Sequence, residues 1–368
     1  MQKILIICFS NLKKDPRVYR QIINLKDDYE VTAVGLNDPE IDGVKFVQAE
    51  KHKYTRKERW LLKLGFYEQV YWKNEITELK EKLLQEKFDL IISNDIDTLP
   101  LVIEAAQGAK IIYDAHEYYP EQTNNFVWKF FHQDYYNYLC RKYMKKADAV
   151  FSVSKPIINE YRNNFDIEPL LYTNAAEYYD LKPSETGDKI KIIYHGRAAG
   201  IRGTDRMIEL AKHLDDRFTL DLMVIGDHEY IKMLVNKAKK TSNTKVILPV
   251  TREDLVKYTN NYDIGLYLAK EESSFNVKNM LPNKFFEYIQ ARLMLAIGPT
   301  KEMARITKEY DLGIVSEKFD PKELAEKINS LTKEQVMYYK NQSHKAAKEL
   351  NSENNIKSLK SVAKNLLK

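Results

Sequence analysis

Residues 281–299 read LPNKFFEYIQARLMLAIGP, a short helix followed by a short strand. Pro282 and Asn283 signal the helix start, with Asn283 placed to cap free backbone N–H groups. Phe285, Phe286 and Ile289 recur at near-helical spacing and give the helix one apolar face. The helix is expected to end near Arg292. Leu293 to Ile297 is then an apolar run closed by Gly298-Pro299, the pattern of a buried strand. Lys284 and Glu287 stand three apart and are neighbours on the helix surface. Two readings of that pair are open. It is a surface ion pair worth about 0.2–0.5 kcal/mol, or the helix start is an anion site and the Glu287 carboxylate, with two acceptor oxygens, receives both hydroxyls of a ribose.

Outward from this stretch the same alternation covers the chain. In the first half, Lys3–Phe9, Glu30–Val34, Phe88–Ser93, Lys110–Tyr113 and Ala149–Val153 are strand candidates. Ile4-Leu5-Ile6-Ile7 and Leu90-Ile91-Ile92 lack polar alternation, as strands covered on both faces do. In the second half the candidates are Ile190–Tyr194, Leu220–Ile225, Val246–Leu248, Ile264–Leu268, Leu293–Ile297 and Gly313–Val315. Strands alternating with helices predict parallel, doubly wound sheets of the α/β class. The polar stretch Leu181 to Lys189, with Pro183 and Gly187, reads as a linker. Two domains follow, residues 1–182 and 189–350. A terminal helix over 351–368 carries an Ile356, Leu359, Val362, Ala363, Leu366 stripe that packing on the first domain would bury.

The 368 residues are 44% hydrophobic, and 58 Lys and Arg stand against 53 Asp and Glu, a net charge of +5. Acidic and basic residues are interspersed, which argues against a nucleic-acid partner. Cys8 and Cys140 are too few and too far apart for a zinc set or a disulfide framework, which suits a reducing cytoplasm. The apolar run at Ile4–Ile7 is too short for an export leader, and no run approaches a membrane span. Two segments combine aromatic and basic residues, Lys51–Trp72 and Phe126–Lys146. The first is equally consistent with an acidic membrane surface, and thus a peripheral location, and with internal packing; for the second, internal packing is the preferred reading.

In doubly wound sheets ligands sit at the carboxyl ends of the strands, so the loops there supply the candidates. Arg17 would reach an anionic acceptor or pair with a helix-side carboxylate. Asp95 and Asp97 suit capping or acceptor contact better than metal. His116 and Glu117 follow a buried strand and precede Pro120. In the second half, Gly196, Gly200 and Gly203 permit close backbone approach, and Arg197 and Arg202 supply fixed charge beside a helix start near Thr204. Those arginines converge on a diphosphate or pair with Asp205 and Glu209. Gly226-Asp227 reads as a tight turn.

Taken together, the chain resembles the retaining glycosyltransferases of family 4, glycosyl transferases group 1, of GT-B fold. The resemblance rests on DPRV at Asp15–Val18, YDAHEYYPE at Tyr113–Glu121, HGR at 195–197 with Arg202 beyond it, VIGD at Val224–Asp227 and PNKFFEY at Pro282–Tyr288. It implies two Rossmann-like domains whose parallel sheets face across a cleft, the first binding acceptor and the second a nucleotide sugar. By that resemblance Glu287 holds the donor ribose, and Arg197, Arg202 and Lys284 neutralise the diphosphate, with Gly196 and Gly226 lining it. The base lies near Pro249, Val250 and Leu255, and His116 approaches the transferred sugar. Where many members carry a second Glu for that sugar this chain has Met280, so Asn276, Asn279 or Glu272 would cover the role. Arg17, Asp95 and Glu117 are left for the acceptor.

The expected activity is transfer of a sugar, with retention, from a UDP- or GDP-sugar to a glycan, lipid-linked or polymer acceptor in bacterial cell-surface polysaccharide or capsule synthesis. No metal and no cofactor beyond the donor is expected. A nucleotide-sugar 2-epimerase of the same fold, or a non-catalytic nucleotide- or sugar-binding protein, are the alternatives.

Overall fold

A computed structural model of the chain describes residues 1–50, 53–200, 203–271 and 274–368. Arg202 and Glu272, and Lys51 and His52 at the head of the first aromatic-basic segment, lie outside the described residues. The chain forms two compact units, one of Met1–Thr173, Ser274–Asn276 and Asn355–Lys368, the other of Asn174–Ser273 and Val277–Asn354.

The first unit is built on β1 (Lys3–Ile7), β2 (Glu30–Gly35), β3 (Lys45–Gln48), β4 (Leu90–Asn94), β5 (Lys110–Ala115), β6 (Ala149–Ser152) and β7 (Leu170–Leu171). They pair in the order β3-β2-β1-β4-β5-β6-β7, all parallel. The period-2 pleat explains the unbroken apolar run of β1. Leu5 and Ile7 enter one core with Ile91 and Tyr113, while Ile4 and Ile6 enter another with Leu90 and Ile92. The terminal helix Ser352–Leu366 adds Ile356, Leu359 and Ala363 to that second core, as its stripe predicts. β3 and β7 have no counterpart among the sequence expectations. Each is an edge or near-edge piece with little buried surface, so its pattern is weak.

The second unit is built on β8 (Ile190–Ala198), β9 (Phe218–Gly226), β10 (Thr244–Ile247), β11 (Ile264–Tyr267), β12 (Met294–Ile297) and β13 (Gly313–Val315). All are parallel, in the order β10-β9-β8-β11-β12-β13. All six expected strands are present. β8 runs four residues further than its apolar core, because its pairing with β9 continues from Tyr194↔Leu222 to Ala198↔Gly226.

Two local expectations are corrected. The helix after Pro282 spans Asn283–Gln290, and its N-cap is Pro282 with no side-chain cap; Asn283 is its first residue and its Oδ1 is buried without a partner. The stretch read as a linker is packed on the second unit. Ser184 Oγ donates to the Asn260 carbonyl at 2.7 Å, and Thr186 Oγ1 donates at 2.9 Å to Asp263, which also receives the buried Lys340 ammonium at 2.8 Å. The unit boundary therefore falls earlier, between Thr173 and Asn174. The second aromatic-basic segment is a helix, Phe126–Tyr143, that buries Tyr135, Tyr136, Leu139 and Cys140 but leaves Phe126, Val127 and Phe130 exposed. Among the described residues no helix is long and apolar enough to cross a membrane.

Candidate functional site

In each sheet the strand order reverses beside the first strand, between β1 and β4 and between β8 and β11. Such switch points open crevices at the carboxyl ends of parallel strands. The two edges are built from different chemistry.

At the edge of the second sheet, Gly196 has φ +130°, and a Cβ there would stand 3.0 Å from Lys284 Nζ. Glycine is needed for the backbone angle and for the approach of the ammonium. Lys284 is only 7% exposed. Its Nζ lies 4.0 Å from the centre of the Tyr194 ring and 5.4 Å from that of Tyr267. The surface pair with Glu287 does not form: among the described residues no carboxylate comes within ion-pair distance of Lys284. A buried cation without a counter-charge is costly, and two ring faces offset only part of that cost.

Glu287, one turn on, is partly exposed, with Oε2 3.7 Å from His195 Nε2. His195 is buried in β8, its ring edge-on to Tyr288 at 4.8 Å, and its backbone N–H donates to the Tyr288 hydroxyl at 3.2 Å. Burial, then the Lys284 charge, pulls its pKa down to about 3. His195 is therefore a neutral imidazole at the side of the Glu287 carboxylate.

Arg197 is exposed at the end of β8. Its expected alternative partners are taken: Asp205 receives Tyr230 Oη at 3.3 Å and Lys237 at 3.4 Å, and Glu209 receives Lys212 at 2.8 Å. Arg197 has no ion pair among the described residues. Gly226, paired with Ala198, has φ +148°, and a Cβ there would meet the Ala198 carbonyl at 2.9 Å. Gly203, at φ +68°, leads into the helix Thr204–Ala211. At the end of β9 and just beyond β10 the edge is apolar and open. Ile225 is exposed and Leu248 is 88% exposed, with Pro249 exposed and Val250 and Leu255 half-buried nearby in sequence.

At the edge of the first sheet the charges are already matched. Arg17 is buried. Its Nε and Nη2 donate to the two oxygens of Asp114 at 2.7 and 2.6 Å, and it also donates to the carbonyls of Tyr172 and Thr173. Gln21 gives Asp114 a third donor at 2.8 Å. The pairing reading of Arg17 therefore replaces acceptor contact, although its carboxylate sits on β5 rather than on a helix. Asp95 follows β4 with φ +71°, a left-handed backbone uncommon outside glycine. It accepts from Tyr119 Oη at 2.6 Å and from Cys8 Sγ at 3.2 Å, and His116 Nδ1 lies 3.1 Å away. Burial opposes protonation of His116, but the carboxylates of Asp95 and Glu117 more than offset it, and its pKa is raised. Asp97 is half-buried, its carboxyl pushed up to about 7 by desolvation and then by the Asp95 charge. Glu117 accepts from Gln122 at 3.0 Å.

The residues assigned to the donor sugar divide. Asn276 is spent on backbone: it accepts from Tyr118 N–H at 2.7 Å and donates to the carbonyls of Tyr118 and Glu121. Burial at 6% exposure removes it as a free sugar ligand. Asn279 is buried, and Met280 packs on the second unit's core.

The carboxyl half of the chain, residues 180–353, matches the glycosyl transferases group 1 model. Residues 19–171 match the glycosyltransferase family 4 model. The chain belongs to the family 4 glycosyltransferases. No curated protein matches its sequence. Its fold is shared with HepE of Anabaena in complex with UDP and glucose, at 12% identity over 99% of this chain and 100% of that one, TM-score 0.72. An E. coli structure titled trehalose-6-phosphate bound with UDP-2-fluoro glucose is similar at 10% identity, 100% and 99% coverage and TM-score 0.72. WaaG, a glycosyltransferase involved in lipopolysaccharide biosynthesis, is similar at 14% identity, 95% and 96% coverage and TM-score 0.68. The two doubly wound parallel sheets are thus the GT-B architecture of a glycosyltransferase.

Three features of this transferase were not singled out from its sequence. Tyr194 and Tyr267 enclose Lys284, and β8–β11 pairing is what brings them together. His195 beside Glu287 reads as an ordinary core residue until its neighbour is known. Ile225 and Leu248 read as buried strand residues until the structure shows Ile225 exposed at the end of β9 and Leu248 exposed just past β10.

Proposed function

We propose that this glycosyltransferase takes a nucleoside-diphosphate sugar, UDP-sugar first among them, and transfers the sugar with retention to a glycan, lipid-linked or polymer acceptor of the cell surface. The observation that carries the donor reading is the Lys284 ammonium, buried between Tyr194 and Tyr267 with no carboxylate in reach among the described residues. A diphosphate supplies the missing charge. Arg197, exposed at the end of β8 and without an ion pair among the described residues, adds a guanidinium suited to phosphate oxygens. Glu287, held beside neutral His195, receives the ribose hydroxyls. The apolar edge at Ile225, Leu248 and Pro249 is suited to one face of a base.

Charge grows on the leaving diphosphate as the glycosidic bond breaks. Fixed cations and the N–H groups opening the helix at Asn283 stabilise that charge more than they stabilise the bound donor, which is the condition for acceleration. Arg202, outside the described residues, shares this role by its place in the motif. UDP and UDP-sugars in the similar structures named above support uridine, and WaaG supports the cell-surface setting; retention is supported by the family resemblance.

Thermal melting with UDP, GDP and ADP tests the donor site, because a ligand bound only by the folded state raises the melting temperature. UDP is expected to give the largest shift, and no shift with any nucleoside diphosphate overturns the reading. Proton NMR of the product then reports the anomeric configuration. A product of inverted configuration overturns retention, and free epimerised sugar nucleotide would make the enzyme an epimerase.

A further inference from the structure

We propose that a face of the first unit formed by residues 53–66 and 124–134 docks the protein onto an anionic lipid bilayer. Six large apolar side chains of these two stretches are exposed: Trp60, Leu64, Phe66, Phe126, Val127 and Phe130, with Phe126 at 79% and Leu64 at 67%. Other exposed apolar residues of this unit, such as Ile23 and Leu84, stand apart in sequence, which is ordinary for a protein surface. A contiguous exposed patch is not.

The two stretches form one surface. The Trp60 ring stands edge-on to Phe131 at 5.2 Å and to Phe130 at 6.3 Å. Phe126 stacks on Phe130 at 6.4 Å, and the Lys63 ammonium lies 4.7 Å above the Phe130 ring. Leu64 is one turn beyond Trp60, at the end of the helix Arg56–Lys63. The opposite sides of the same elements are firmly packed. Leu62, Tyr135, Tyr136 and Leu139 are in the core, so folding does not use the outer side chains.

The charge on this face selects the occupant. Over the two stretches, Lys53, Arg56, Lys57, Arg59, Lys63 and Lys129 stand against two carboxylates, Glu58, which is held by Lys73, and Asp134, which pairs with Lys63 at 3.3 Å. Arg56, Lys57 and Arg59 are exposed and have no ion pair among the described residues. A groove of about 460 Å³ is lined by Tyr54, Arg56, Arg59, Trp60 and Phe131. It sets two guanidinium groups between aromatic walls, a fit for a lipid phosphate with its glycerol and upper chain against the rings. Tryptophan and phenylalanine at headgroup depth with lysine and arginine alongside is how a protein lies on an acidic membrane without crossing it. A second copy of the chain carries the same positive charge on this face and would be repelled.

Co-sedimentation of the full chain with vesicles tests the proposal. Binding is expected to mixed phosphatidylcholine–phosphatidylglycerol vesicles and not to phosphatidylcholine alone, and it should weaken as salt is raised. Arg56→Glu with Arg59→Glu should lower partitioning by about twenty-fivefold or more, since each cation at an acidic surface is worth about fivefold. Trp60→Ser with Phe126→Ser and Phe130→Ser should lower it by about tenfold or more. Circular dichroism and the melting temperature check that each variant is folded. If the triple variant fails to fold, Phe126→Ser with Val127→Ser, on the exposed first turn of its helix, serves in its place. Equal binding to both vesicle types, or variants that bind as wild type does, overturns the proposal. So does a protein that ignores both vesicles but forms a dimer that the triple variant dissociates.

Discussion

The carboxyl edges of the two sheets have the same topology and opposite charge economy. At the first, Asp114 receives Arg17 and Gln21, Asp15 receives Ser10 and two backbone N–H groups, and Asp95 receives Tyr119 and Cys8 with His116 beside it. At the second, Lys284 is buried against rings and Arg197 is exposed, neither with a carboxylate among the described residues. The first edge is completed by its own side chains. The second presents cations whose charge the proposed diphosphate would match. The difference teaches that a charged residue at a strand's carboxyl end is informative only once its partner is known: Arg17 and Arg197 look alike in sequence and stand in contrasting surroundings.

Substitution should therefore break the two edges differently. Arg17→Met leaves Asp114 buried without its main counter-charge and should destabilise the first unit by about 3–5 kcal/mol; adding Asp114→Leu should restore most of that loss. Denaturant unfolding of both variants reads it, and a single variant of wild-type stability would show the pair to be unimportant.

His195 predicts an acid limit in the second unit. Its folded pKa, about 3, lies below the ordinary histidine value, so the unfolded chain takes up a proton that the folded one refuses. Stability is then lost as pH falls from about 6.5 towards 3, by about 1.4 kcal/mol per pH unit from this group. His195→Asn should flatten that slope in melting curves across this range; an unchanged slope would assign the acid limit to other groups.

Smaller effects fall on catalysis alone. Arg197→Ala should lower kcat/KM by about tenfold to a few hundredfold, mostly in kcat, while stability changes by under about 0.5 kcal/mol, as for an exposed side chain. Unchanged turnover would return Arg197 to the surface. Glu287→Gln exchanges one acceptor oxygen for a donor and should weaken UDP binding by about tenfold, measured calorimetrically. Wild-type affinity would remove the ribose assignment.

Much of the fold was legible because burial on both faces writes unbroken apolar runs such as Ile4–Ile7 and Leu293–Ile297. β3 and β7 were not, since short edge strands carry little buried surface. In the candidate site, the motif names Lys284 and Glu287 from sequence, but the partners that come from distant strands, as in the Tyr194–Tyr267 enclosure, were illegible. Asn276 shows the converse error. A polar residue in a loop suggested a sugar contact, but its hydrogen bonds are consumed by the backbone of Tyr118 and Glu121. For the second aromatic-basic segment the sequence favoured internal packing, which Tyr135, Tyr136, Leu139 and Cys140 show, while the exposed turn at Phe126 became visible only in the structure.

The most direct test is the melting temperature of Lys284→Met with and without UDP. Removing a buried cation that no carboxylate among the described residues compensates should leave the ligand-free protein as stable as wild type or more so. The shift by UDP, which at one hundred times Kd corresponds to about 2.7 kcal/mol, should be largely lost. A ligand-free variant that melts well below wild type yet keeps the full UDP shift would contradict the account, because Lys284 would then be a structural residue.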